Sequence, residues 1–195
     1  MNQSKRPLNQ EKGSLLLTNK LTAFLKSNPE NTLANEIIAF LASEKEPFSR
    51  ETAKGHITSS AWLISPDEKE VLLTHHKKLG IWIQLGGHCD GLSETEEVAL
   101  KEAREESGIE NLELVSNDIF DVDVHWIPDF KGTPGHWHYD IRYVIKSMTK
   151  SVKKNEESLE LAWFDILFLA QADVEQSVKR MAKKWIALKQ GYKFA

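Results

Sequence analysis

Three glutamates, Glu102, Glu105 and Glu106, stand at i, i+3 and i+4 in a stretch that reads as helix from about Glu94 to Ser107. That spacing puts all three carboxylates on one helix face. Like charges so placed oppose the helix by about a few tenths of a kcal/mol per pair. They also sit near the C-terminal end, where the helix macrodipole disfavours negative charge. A bound divalent cation resolves both conflicts. Mg²⁺ suits such a set, because it takes oxygen ligands and leaves part of its shell to water and phosphate oxygens. A solvated acidic face is the reading that three glutamates in an arbitrary helix would otherwise receive.

The elements around these glutamates can be read from pattern. Ser93 and Glu96 have the spacing of a capping box at the helix start, and Gly108 suits the left-handed residue that ends a helix. Before them, Gly86-Gly87 is expected to break a short strand running from Ile81 to Leu85. Ile57–Ile64 and Val71–His76 are rich in β-branched and aromatic residues and predict strands joined by the turn Ser65–Glu68. Ile119–Ile127 and His136–Ile145 both alternate, and the turn Lys131–Gly135 between them predicts a hairpin; Glu160–Phe164 predicts a further strand. Two helices precede the strands. Leu17, Leu21, Phe24 and Leu25 form one apolar stripe, stopped by Asn28-Pro29; Leu33, Ile37, Phe40 and Leu41 form a second, with Thr32 as its expected cap. A last helix, expected to be capped by Asp173, carries Val174, Val178, Met181, Trp185 and Leu188 on one face and Lys179, Arg180, Lys183 and Lys184 on the other. Basic faces of this kind are usually solvated. The order predicts an α/β sandwich with a helical N-terminal extension.

The segment Gly87–Ile109 resembles the Nudix box: Gly, five residues, Glu, seven residues, Arg-Glu, an apolar residue, any residue, Glu-Glu, any residue, Gly and an apolar residue. Gly87, Glu102, Ala103, Glu105, Glu106, Gly108 and Ile109 fall in register. Two positions depart: Ser93 stands where the box has Glu, and Lys101 where it has Arg. In the family those two pair with each other. Here both have changed, and Lys101 is expected to pair with Glu97 instead. The resemblance implies a Nudix-type α/β/α sandwich with a mixed sheet over residues 51–195, preceded by an extension over residues 1–50. It also implies Mg²⁺ or Mn²⁺ held by Glu102, Glu105, Glu106 and the carbonyl of Gly86. Glu157 is the matching candidate for an acid from a later loop, as ligand or general base. The implied activity is hydrolysis of a phosphoanhydride in a small nucleoside-diphosphate-like substrate, with Glu105, Glu106 or Glu157 taking the proton from water. Two other readings compete: a non-catalytic metabolite sensor, motivated by Ser93 and Lys101, and an enzyme like isopentenyl-diphosphate isomerase, motivated by Cys89 in the loop before the helix.

Further polar residues flank this centre. His136, His138 and Asp140 share one strand face, opposite Asp121, Asp123 and His125; they suit substrate contacts or a second metal, and an exposed polar sheet face is the plainer alternative. His76, in the run His75-His76-Lys77-Lys78, and Gln84, near the Gly-Gly corner beside Trp82, are further substrate-contact candidates.

The 195 residues suffice for one ordinary domain with an appendage, and a net charge of -4 argues against a nucleic-acid binder, whose affinity rests on Lys and Arg. Cys89 is the only cysteine, so no intrachain disulfide forms. The polar N-terminus lacks the core of a signal peptide, and no run of about 18 apolar residues occurs. A cytoplasmic protein with no membrane segment is expected. The two stripes of the helical pair must pack on the sandwich or on another subunit, and a homodimer is the expectation for the latter.

Overall fold

The computed structural model describes residues 7–77, 80–130, 132–153 and 158–191. Two helices open it, α1 (Leu8–Ser27) and α2 (Thr32–Ser43). Leu17, Leu21 and Phe24 of α1 and Ile37, Phe40 and Leu41 of α2 are buried, as their stripes require. Asn31, not Thr32, caps α2, its side chain accepting from the Ala34 N–H at 3.0 Å. Thr32 lies already inside the helix, one residue too late to cap it.

The sheet is mixed. Its central strand β1 (Gly55–Ile64) runs parallel to β7 (His136–Ser147), from Gly55↔Trp137 to Ile64↔Lys146. All ten β1 positions are buried, as a strand covered on both faces should be. On one side, β2 (Glu70–His76) pairs antiparallel with β1 and carries both β3 (Trp82–Ile83) and β8 (Ser158–Asp165). On the other, β7 takes β6 (Asp121–Ile127) as the expected hairpin partner, and β5 (Leu112–Leu114) as well. The last strand, β4 (Leu85–His88), pairs antiparallel with β1 from Thr58↔His88 to Ala61↔Leu85.

Gly86 and Gly87 therefore lie within a strand and do not break one. The physical reason is proximity. A Cβ on Gly86 would sit 2.7 Å from the Ser59 carbonyl oxygen and 2.7 Å from the Ser60 Cα, so only glycine lets this strand lie so close to β1.

Helix α3 (Thr95–Ser107), together with α1 and α2, covers the sheet face that carries Ile57, Ala61, Leu63, Ile141 and Tyr143. The opposite face, with Trp62, Ile64, Val71 and Leu73, packs on α4 (Ile166–Leu169) and α5 (Gln176–Lys189). This is the α/β sandwich with N-terminal helices that the element order predicts, in the α/β/α form that the resemblance implies. Helix α5 is capped by Glu175, whose carboxylate accepts from the Ser177 and Val178 N–H groups at 2.7 and 3.1 Å, and not by Asp173. Its Val178, Met181 and Trp185 are buried, but Leu188 is exposed, beyond the reach of the core. No helix among the described residues is long and apolar enough to cross a membrane.

Candidate active site

Helix α3 is anchored at both ends. Ser59 donates to the Thr95 carbonyl at 2.6 Å, and the Thr95 hydroxyl lies 2.7 Å from the Tyr143 hydroxyl. Val98, Ala99 and Ala103 bury its inner face. At the far end Gly108 adopts φ 67° and its N–H bonds the Arg104 carbonyl, the left-handed ending expected from the sequence. The start differs from expectation. Glu94 is the flanking residue and makes no side-chain cap; Ser93 donates its hydroxyl to Glu94 and does not reach the helix backbone. The cause is a tight approach: a Cβ added to Gly13 of α1 would lie 2.2 Å from the Ser93 Cβ, so α1 occupies the space over residue 93.

The three glutamates stand on the outer turns of α3, beside β4. Glu106 is buried and accepts a hydrogen bond from the Gly86 N–H at 2.9 Å. Glu102 lies against Gly87, where a Cβ would come within 2.4 Å of its Oε2. Glu105 is the most solvated of the three. Lys101 bridges two of them, with Nζ 3.2 Å from Glu102 Oε1 and 3.4 Å from Glu105 Oε2. It does not pair with Glu97; the glutamates beside and four residues after it hold it on the acidic face. Its ammonium pKa is raised, chiefly by the hydrogen bond to Glu102. The donor set fits a hard divalent cation: carboxylate oxygens only, on one helix face, against a strand that lacks side chains where it passes them.

A cation next to this centre escaped the sequence reading. Arg50 grips Asp90 through Nε and Nη2 at 2.5 and 2.7 Å, and Glu102 lies within its electrostatic reach. That hydrogen bonding holds the Asp90 carboxyl below its usual range. Nothing in the local sequence links residues forty positions apart. Cys89 is buried at 1% exposure, and burial pushes its thiol pKa up, so it is a poor nucleophile.

The polar face of β6 and β7, for which an exposed surface is the plainer alternative in the sequence, is a largely buried charge lattice that also takes in side chains of β1. Asp140 accepts from Thr58 at 3.0 Å, from Ser60 at 2.8 Å, from Arg142 Nε at 2.8 Å and, at 3.4 Å, from Gln84. Arg142, itself 1% exposed, reaches Asp121 and Asp123 at 3.3 Å each. Arg180 of α5 binds the same two aspartates at 2.8 and 3.0 Å, and Lys184 lies 3.9 Å from Asp121. The basic face of α5 is thus partly turned inward, against aspartates that periodicity alone could not assign to it. Burial pushes the Asp123 carboxyl up, but His125, Arg142 and Arg180 together outweigh this and hold it below its ordinary range.

The same sheet face ends in histidines. His56 of β1 stands opposite His138, which stands opposite His125. Burial, aided by neighbouring imidazoles, lowers the pKa of His56 to about 4 and of His138 to about 2. Gln84 is buried, and its Oε1 has no hydrogen-bond partner among the described residues. His76 lies at the end of β2, its N–H bonded to the Ile81 carbonyl. Trp82 stacks on His75 and meets Phe164 edge-on, packed among side chains. Glu157 lies outside the described residues.

Sandwich, glycine strand and acidic helix together point to one class of fold. The NUDIX domain family matches residues 54–185, and the chain belongs to the Nudix family of pyrophosphohydrolases. Solved structures with the same fold include a NUDIX-family hydrolase from Clostridium perfringens (23% identity, 68% of this chain and 97% of that one, TM-score 0.54). An Ap4A hydrolase from C. elegans in a binary complex (18% identity, 69% and 98%, TM-score 0.55) and a MutT protein from Methanosarcina mazei Go1 (18% identity, 71% and 98%, TM-score 0.53) are similar to the same extent. A comparison with curated proteins found no match.

Proposed function

We propose that this chain hydrolyses a phosphoanhydride bond in a small nucleoside-diphosphate-like compound, with Mg²⁺ or Mn²⁺ as its metal. The observation that carries the reading is the juxtaposition of Glu102 and Glu106 with Gly87 and Gly86: a glycine strand pressed against the acidic helix face. Glu102, Glu105 and Glu106, with the Gly86 carbonyl, would hold the ion. When bound, such an ion neutralises charge on phosphate oxygens and acidifies water at the site.

The residues divide the remaining work. Glu106, fixed by the Gly86 N–H, is a rigid ligand. Glu105, more solvated and held through Lys101, is the glutamate best placed to accept a proton from the attacking water. Glu157 stays a second candidate for that role. Lys101 takes the position of the box arginine and balances two of the carboxylates while no cation is bound. Among the proposed substrate contacts, Gln84 offers a buried amide oxygen with no partner among the described residues, and His76 lies at the end of β2. Asp140 is engaged on both oxygens by four side chains and serves by positioning them. The solved Ap4A hydrolase and MutT relatives of the fold support nucleotide polyphosphates as the class to try first. The proposal places the protein in the cytoplasm. It includes a homodimer through the α1 face that exposes Leu8, Leu15 and Leu16, which sedimentation of the intact chain would test.

The test is hydrolysis of a panel of nucleoside di- and polyphosphate compounds with and without Mg²⁺. Turnover is expected to require the metal and to fall by about 10²–10⁴-fold in Glu105→Gln and Glu106→Gln. Metal-dependent binding of a compound without turnover of any would replace the hydrolase by the sensor reading, with Lys101 on the carboxylates as its physical basis.

A further inference from the structure

A second cluster of ligand-type side chains lies on the sheet face opposite to α3. One ring nitrogen from each of His56, His136 and His138 falls within 4.8 Å of the others. The His136 and His138 Nε2 atoms are 3.2 Å apart. Two imidazole nitrogens bound to one tetrahedral Zn²⁺ at about 2.0–2.1 Å must lie about 3.3 Å apart. The 3.2 Å separation, a hydrogen bond between the two rings, is compatible with that spacing.

Two further observations point the same way. His136 Nδ1 lies 2.9 Å from the Pro134 carbonyl oxygen. A ring N–H donated to that carbonyl leaves the Nε2 lone pair facing the cluster, the arrangement that orients metal-binding histidines. His56 is 2% exposed, and among the described residues neither of its ring nitrogens has a hydrogen-bond partner. A buried imidazole with nothing to bond is costly and needs an explanation. Its ring lies 4.9 Å from those of both His136 and His138.

We propose that His56, His136 and His138 form a binding site for a borderline-soft divalent metal of the Zn²⁺ type, with a fourth position open to water or a ligand oxygen. Imidazole nitrogen suits Zn²⁺ far better than Mg²⁺, so this site and the carboxylate face select different ions. The ion would engage one of the two unpartnered ring nitrogens of His56 and tie β1 to β7 where β4 ends in His88, whose ring is 5.0 Å from that of His56.

The test uses the full chain, stripped of metal by a chelator and then held in excess Mg²⁺ to fill the carboxylate face. Zn²⁺ is titrated by calorimetry, and Co²⁺ by visible absorption. One equivalent of Zn²⁺ should bind, and Co²⁺ should give the intense spectrum of a tetrahedral site. Affinity should fall by at least about 100-fold in His138→Gln and in His136→Ala, and stay unchanged in Glu106→Gln. His136 is only half-buried, so His136→Ala decides the matter if His138→Gln fails to fold. No stoichiometric Zn²⁺ binding, a weak octahedral Co²⁺ spectrum, equal affinity in the His136 variant, or loss in Glu106→Gln would each overturn the proposal. None of these results bears on hydrolysis, which is read separately.

Discussion

At the scale of single residues, the two glycines of β4 do different work although they are neighbours. The nearest atoms a Cβ on Gly87 would meet are those of the Glu102 carboxylate, the far end of a flexible side chain, whereas one on Gly86 meets the β1 backbone. Gly87→Ala should therefore change stability by less than about 1 kcal/mol while pushing Glu102 aside. Mn²⁺ affinity, read by calorimetry, should fall by at least about tenfold, a loss of about 1.4 kcal/mol. Gly86→Ala should instead cost about 1–3 kcal/mol in a denaturant titration, as overpacking does. Asp123 gives a pH signature. Its carboxyl is held below the ordinary range in the folded chain, so its contribution is complete above the unfolded pKa and is lost as pH falls through the folded one. Asp123→Asn should lower the melting temperature at pH 7, and the gap to the parent chain should narrow steadily below about pH 4. A gap independent of pH would mean that the carboxylate acts by shape alone.

At the scale of elements, α1 accounts for the most unusual feature of the box. Its Gly13 lies so close to Ser93 that a side chain longer than serine has little room there. Gln10 donates to the Gly91 carbonyl at 3.0 Å, and Lys20 pairs with Glu96 at 2.7 Å, so α1 fixes the approach to α3. Replacing a helical glycine by alanine usually stabilises, by about 1 kcal/mol. Gly13→Ala should do the reverse and destabilise by about 1–3 kcal/mol. In a Ser93→Gly background the same change should become neutral or stabilising, a coupling that a double-mutant cycle measures. Additive effects would show that the two residues do not press on each other. The sequence carried the long elements and the register of Glu102, Glu105 and Glu106, because hydrophobic period and glycine placement are local signals. It did not carry β5 and α4, too short to show a period, or the caps of α2, α3 and α5, where several polar residues compete and tertiary contacts choose. His56 escaped for a different reason. It sits in an apolar strand, and its partners His136 and His138 lie some eighty residues away in sequence, brought near only by the parallel pairing of β1 and β7.

At the scale of the whole molecule, three aspartates and three cations join the layers. Asp121, Asp123 and Asp140 come from β6 and β7, Arg142 from β7, Arg180 and Lys184 from α5. Arg142 is the centre of that lattice and touches all three carboxylates. Removing one partner of a buried ionic set leaves uncompensated charge and costs about 3–5 kcal/mol. Arg142→Met should do so in equilibrium denaturation; a change under 1 kcal/mol would show that Arg180 and Lys184 balance the aspartates unaided. The lattice holds β1 and β7 in the register that sets Gly86 and Gly87 against α3, and so links stability to the acidic site. The proposed chemistry resides at that site, and hydrolysis in oxygen-18 water reads it out. With Mg²⁺ and a nucleoside diphosphate compound, one phosphate-bearing product should carry a single solvent-derived oxygen, in the parent chain and not in Glu106→Gln. Metal-dependent products without solvent oxygen, or equal incorporation in the Glu106 variant, would contradict it.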